Sequence, residues 1–426
     1  MSQKKQSAGR RLSTITIDQA IAGASNVLIA VLAARILGVE SFGLFGIVFI
    51  IYVTGQGISR ALVCEPLLIH PVESQERPGD AIGSATALGI GVGLVVAASG
   101  LLAGIWDDRL VGPLIILGLS MPFLVLQDLG RYLGFATHRP SFSLVLDVVW
   151  LVLMIVAVGI AIAVGAESLT WFIAVWALSG AAAGALVLLE YRSQLRRPSL
   201  SWLRETWTYS WRYLISYSAA QGSALIASLG AVAIAGVRAL GAIQGTLLVL
   251  RPFGLFLSAS VAAGVAEVSR ITSDRLRVRR HVNMNSGLTI LAAFVNMAVL
   301  LLVPDHIGRM VLGDTWGPAE PLMLPASVQM VLLASISGPR SAMLGLRAVK
   351  TTVRIDVIST GLLIAAMYAG AFVDDALGAF WALAIAQGVV ALMWWASYLR
   401  HPGEIPEDSV LEDEIDSVPS TTPTGQ

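Results

Sequence analysis

Ala33-Ala34-Arg35-Ile36-Leu37-Gly38-Val39-Glu40-Ser41-Phe42-Gly43 closes one long apolar run and opens the next, and a shortened copy of it stands halfway down the chain. The copy, Gly236-Val237-Arg238-Ala239-Leu240-Gly241-Ala242-Ile243-Gln244-Gly245, carries Arg35, Leu37 and Gly38 onto Arg238, Leu240 and Gly241, 203 positions on. One residue is then lost: Gly43 pairs with Gly245, and the offset of 202 carries Glu65 onto Glu267. Further on, Arg131, His138 and Asp147 recur as Arg340, Arg347 and Asp356 at a constant offset of 209. Ordered recurrence of charged positions in an apolar chain reads as a duplicated unit. It predicts that the repeated acids, Asp147 and Asp356, take equivalent contacts to basic neighbours.

Only 13% of the residues are charged, 56% are hydrophobic and the mean hydropathy is +0.75. Soluble domains carry about 25% charged residues, so a soluble fold is excluded. A helical span needs about 20 apolar residues. Such runs fall near 15–36, 43–64, 82–105, 111–135, 141–165, 168–190, 211–236, 245–267, 284–303, 319–344, 354–373 and 376–398. They are continuous rather than short and alternating, which excludes a barrel. The expected fold is an all-α integral membrane protein of about twelve helices in two parallel six-helix bundles, 15–190 and 211–398. A basic N-terminus (1–14), a basic linker (191–210) and an acidic tail (399–426) complete it.

Net charge is zero, so the placement of cations carries the topology. Assigning alternate connections to the two sides leaves Arg35, Arg109, Arg238, Arg251 and Arg309 on or near the outer face and the other 23 of the 28 cations inside. Cations mark the cytoplasmic side, which places both termini there. The N-terminus, with Lys4, Lys5, Arg10 and Arg11, lacks a small-residue cleavage site, so the first span is read as retained. A lone Cys64 excludes an intramolecular disulfide and Cys-based metal patterns. No catalytic set, metal or cofactor is expected.

Ionisable and polar groups inside the spans are the candidate site, because in hydrocarbon they must face protein or water. The first helix offers Asp18 and Gln19 near its inner end, then Ser25 and Asn26; the second offers Gln56 and Arg60, ahead of Glu65. Arg60 either pairs with Glu65 or points into a cavity. The second copy offers Gln221 in its first helix and, in the next, Arg251, about two turns below the outer face and followed by Pro252. Arg60, Arg251, Gln56, Asn26 and Gln221 are the candidate substrate ligands. Asp18, Glu65, Glu267 and Arg131 are candidates for coupling or gating. Arg131 also belongs to a basic group with His138 and Arg139 that reads as a topology anchor. Arg35 and Arg238 read as interface anchors that snorkel.

The linker interleaves Arg192, Arg196, Arg197, Arg204 and Arg212 with Trp202, Trp207 and Trp211, a pattern suited to the headgroup layer rather than to nucleic acid. The acidic tail, with Glu404, Glu407, Asp408, Glu412, Asp413, Glu414 and Asp416, reads as disordered. The outer connections are too short to hold an enzyme domain.

Two six-helix copies in one orientation describe a transporter with its path between the halves. The Ala34-Arg35-x-Leu37-Gly38-x4-Gly43 stretch, and the arginine-bearing end of the fourth helix running into the fifth, resemble bacterial polysaccharide flippases. These share a superfamily with multidrug and toxin extrusion exporters and lipid II flippases. The resemblance implies a flippase for polyprenyl-diphosphate-linked oligosaccharide in the bacterial plasma membrane, working by alternating access. It implies as partners the lipid-linked glycan, membrane lipid and a glycan polymerase or other export machinery. A cation-coupled exporter of small molecules is the alternative within that fold. A major-facilitator transporter is disfavoured, because 65–80 lacks the basic loop motif of that family. A membrane glycosyltransferase or polymerase is the reading from another class, with Asp107, Asp108, Asp374 and Asp375 as its acids.

Overall fold

The computed structural model describes residues 23, 25–69, 76–137, 139–165, 168–272 and 274–400. Among them the regular elements are helical. They are α1 (Ser25–Ile36), α2 (Gly38–Ser59, continuing through Arg60–Cys64 into Glu65–Ile69), α3 (Pro78–Ala103), α4 (Val111–Ala136), α5 (Pro140–Ala163) and α6 (Leu169–Glu190). There follow α7 (Ser201–Val268), α8 (Arg275–Leu301), α9 (Asp305–Leu312), α10 (Met323–Ser335), α11 (Ser337–Gly345) and α12 (Val349–Arg400).

Nine stretches among the described residues are long and apolar enough to cross a bilayer, against the twelve expected. The first expected span enters the described residues only near its middle, leaving the short α1. Two expected pairs of spans run on as continuous helices, each broken by a local backbone excursion: α7 at Gly236 (φ 82°, ψ 173°), and α12 at Asp374 and Asp375, the latter at φ 43°. Those breaks fall where the apolar periodicity ends a span, at 236 and 373.

The chain divides into two compact units, residues 1–248 with 304–321, and residues 249–303 with 322–426. This division by packing does not fall at the 190/211 boundary of the sequence repeat.

In the first unit α4 is central and packs against α2, α3, α5 and α6. The α3–α4 crossing is built on small residues: a Cβ on Gly89 would meet the Pro122 backbone, and one on Gly93 the Gly118 carbonyl. Removing side chains at the crossing lets backbones approach, the usual source of helix adhesion in a bilayer. The repeated motif does the same between its own copies. A Cβ on Gly43 would strike the Val237 carbonyl and one on Gly241 the Val39 carbonyl. Gly43→Ala or Gly241→Ala should therefore destabilise the fold by about 1–3 kcal/mol through overpacking, read as a lower unfolding temperature. Ala at Gly254, with open space around its Cβ, is the control.

Helix α2 widens into a π-helical turn at Arg60–Cys64, where the Glu65 N–H bonds to the Arg60 carbonyl five residues back. The cause lies next door. Pro66 has no N–H for the Leu62 carbonyl and its ring would crowd that group in a regular helix. The loosened carbonyls are taken up by α7: Ser210 Oγ donates to Leu62 O (2.9 Å) and Trp202 Nε1 to Val63 O (3.3 Å). Trp202 is consequently buried rather than lying among headgroups, while Trp207 and Trp211 are exposed as expected. The preceding segment is clipped to the end of α3 by Arg196–Asp80 (2.6 Å), and the start of α7 by Arg77–Glu205 (2.8 Å).

In the second unit α8 packs on α10 and α11, which pack in turn on α12. A hydroxyl seam joins them: Thr289 Oγ1 lies 2.7 Å from Ser337 Oγ, and Ser286 Oγ accepts from the Gly338 N–H.

Candidate functional site

The first unit encloses a cavity of about 210 Å³, lined on its polar side by Ser25, Asn26, Gln56, Arg60, Gln127, Arg131 and Asp147. Its other wall is aromatic. Tyr52 meets Trp176 edge to face at 4.7 Å, and Trp150 lies 6.2 Å from Trp176 with its Nε1 donating to the Trp176 carbonyl. Gly180 makes room for this stack, since a Cβ there would enter the Trp150 ring.

Arg60 leaves α2 at the π-helical turn and grips Asp128 of α4 with both edges of its fork, Nε to Oδ2 at 2.9 Å and Nη2 to Oδ1 at 2.8 Å. The guanidinium also sits 5.8 Å from the Tyr132 ring centroid. Asp128 is 2% exposed and Arg60 35%, so the acid is sealed in protein while the base reaches the cavity. One helical turn on, Arg131 lies 3.7 Å from Asp128 and 3.3 Å from Asp147 of α5, and Gln127 Nε2 donates to the other Asp147 oxygen at 2.8 Å. Two guanidiniums thus face two carboxylates, and the cluster carries no net charge. Buried charge of this kind persists only when paired and hydrogen-bonded. Asp128 takes two of the five N–H donors of Arg60, leaving about three for a ligand.

Sequence reasoning anticipated Arg60, Gln56, Asn26 and Arg131, and all four line this one cavity. Gln56 is turned partly away, its Nε2 directed at the Leu124 carbonyl (3.5 Å). The alternative partner for Arg60, Glu65, makes no ion pair among the described residues; Asp128 takes that place. Glu267 is exposed and pairs with Arg270 at 3.8 Å, away from any cavity lining described here. The basic group at the end of α4 comes apart: Arg131 turns inward, whereas Arg139 pairs with Glu190 (2.8 Å). Asp18, Gln19 and His138 lie outside the described residues, as does the side chain of Gln221. Arg251 belongs to the second unit, is half-buried and makes no ion pair among the described residues. Asp128, Gln127 and the aromatic wall were not foreseen as site residues.

The repeated acids do take equivalent contacts. Arg131–Asp147 in the first unit has its counterpart in Arg340–Asp356, Nη2 to Oδ2 at 3.1 Å, in the second.

No family model matches the sequence, and no curated protein matches it. Solved structures do match. An inward-facing multidrug resistance MATE family transporter of the MOP superfamily aligns with a TM-score of 0.67 at 13% identity, over 95% of this chain and 99% of that one. The lipid II flippase MurJ in an inward closed conformation aligns at 0.66 and 12% identity, over 94% and 90%. A MOP superfamily transporter from Pyrococcus furiosus, described by the reverse polarity of its binding pocket, aligns at 0.57 and 13%, over 93% and 98%. At these identities the likeness is one of fold, and the chain has the all-α membrane fold of the MOP superfamily transporters.

Proposed function

We propose that the protein is a transporter that flips polyprenyl-diphosphate-linked oligosaccharide across the bacterial plasma membrane by alternating access, for cell-surface polysaccharide synthesis. The observation that carries this reading is the Arg60 fork. Asp128 takes two of its N–H donors, and about three more belong to a guanidinium that lines the sheltered cavity of the first unit. Organic cations call for an acidic cavity, whereas a diphosphate calls for guanidinium forks in a site sheltered from water. Related folds include both a lipid II flippase and a multidrug transporter, so the likeness of fold does not choose between them. Export of small aromatic molecules is the second reading, favoured by the Tyr52, Trp150 and Trp176 wall.

Of the acids of the enzymatic reading, Asp107 has an ion-pair partner. Asp107 is tied to the Arg109 guanidinium (2.9 Å), and that hydrogen bonding holds its carboxyl below the usual carboxylate range. Asp374 and Asp375 form the break in α12.

Purified protein in liposomes should move a short-chain polyprenyl-diphosphate sugar across the bilayer without moving tetraphenylphosphonium. The reverse result would replace this reading with the exporter. The two halves 15–190 and 211–398, cytoplasmic termini and a neighbouring glycan polymerase complete the proposal. Cysteines placed by Gln194→Cys or Leu200→Cys should react with impermeant thiol reagent only after the cells are opened, with little background because Cys64 is buried.

A further inference from the structure

The second unit has a cavity of its own, about 570 Å³, within the range of about 300–1,000 Å³ typical of small-molecule sites. It is lined by the end of α7, by α10 and α11, and by both arms of α12. Arg340 and Asp356 form one ion pair, each 40% exposed, with the guanidinium 5.4 Å from the Trp394 ring centroid. Around the pair stand Ser359, Thr360 and Gln387. Ser359 is only 7% exposed, and its Oγ has no hydrogen-bond partner among the described residues. A buried hydroxyl left unbonded costs about 1–3 kcal/mol, so a ligand or water that bonds to it gains what the empty site forgoes.

We infer that this cavity is a saccharide-binding site that holds a hydroxyl-bearing sugar between the Arg340–Asp356 pair and Ser359. The donor and acceptor inventory is the reason. A carboxylate accepts from two vicinal hydroxyls, a guanidinium donates to their oxygens, and an amide and a serine do both. The pair sets a donor fork and an acceptor carboxylate side by side, so it offers hydroxyls two-sided bonding. The inference rests on the flippase reading in naming sugar as the natural cargo, and it assigns the sugar part of that cargo to residues in the second unit alone.

The test uses full-length protein in nanodiscs with free sugars as probes: a neutral hexose, an N-acetylhexosamine, a uronic acid and, as the anion control, inorganic pyrophosphate. Calorimetry or saturation-transfer NMR should show at least one sugar binding. Asp356→Asn should weaken that binding about tenfold or more. Ser359→Ala should weaken it about fivefold without lowering the unfolding temperature, and should raise that temperature if anything, because the deleted hydroxyl has no hydrogen-bond partner among the described residues. Arg35→Lys, at an exposed cation that lines neither cavity, should leave it intact. The inference is overturned if no sugar binds, if Ser359→Ala binds as wild type does, or if pyrophosphate displaces the sugar in a manner that depends on Arg340 but not on Asp356. Sugar binding without any movement of the diphosphate lipid in liposomes would instead remove the flippase reading and keep the site.

Discussion

Asp128→Ala should destabilise the protein by about 1–3 kcal/mol, because it strips the buried counter-ion from a guanidinium that is only partly open to the cavity. Arg60 would keep its place beside Tyr132 with neither Asp128 oxygen to hold it, and Arg131 would lose one of the two carboxylates it faces. Replacing both members by residues of similar volume, Arg60→Met with Asp128→Leu, should restore most of the loss, since an apolar pair carries no desolvation cost. The double variant should nevertheless fail to export glycan. Thermal unfolding in detergent across the four members of the cycle measures the coupling, for which contacting residues give about 0.5–3 kcal/mol. An Asp128→Ala protein that unfolds at the wild-type temperature would show that the pair is solvated in the folded state. The separation between recovered stability and lost export is what distinguishes a working site from a structural clamp.

What the sequence disclosed, and what it hid, follows from periodicity. The spans were legible because hydrocarbon tolerates little but long apolar runs, and the breaks at Gly236 and Asp374–Asp375 were legible because those runs stop there. That Asp147 and Asp356 would meet basic neighbours was legible because the repeat writes both acids, though not which bases they would meet. Arg60–Asp128 is written once. The positions that correspond to them in the second copy, by offsets of 202 and 209, are Ala262 and Ser337, so repeat matching passes over both. Their joint absence from that copy is itself a signal of pairing. The inward turn of Arg131 was hidden for a different reason: a cation near a helix end satisfies a topology rule equally well whether it faces headgroups or Asp147. Trp202 was misplaced because amphipathic rings suit an interface, while the carbonyls that Pro66 loosens supply a competing partner inside the protein. The aromatic wall was invisible because apolar side chains in a span look alike until packing sorts them.

Arg251→Ala should abolish glycan export while leaving membrane insertion and unfolding temperature close to wild type. The asymmetry with Arg60 is physical. Arg60 anchors Asp128, so its loss disturbs the fold as well as any ligand, whereas Arg251 has no ion pair among the described residues to break. A half-buried guanidinium without a counter-ion, next to a proline that frees a backbone carbonyl, is costly to keep in a membrane helix. A ligand anion that repays this cost should be felt in export first. Arg251→Lys should restore export in part, because the charge returns without the fork that matches phosphate oxygens. Arg35 and Arg238, both exposed, provide the comparison: as anchors that snorkel they should accept Lys with near-normal export. The readout is surface glycan in a strain lacking its own flippase, normalised to the amount of protein in the membrane. Full export by Arg251→Ala would take that residue off the substrate path and leave the Arg60 cluster as the sole candidate contact for the diphosphate.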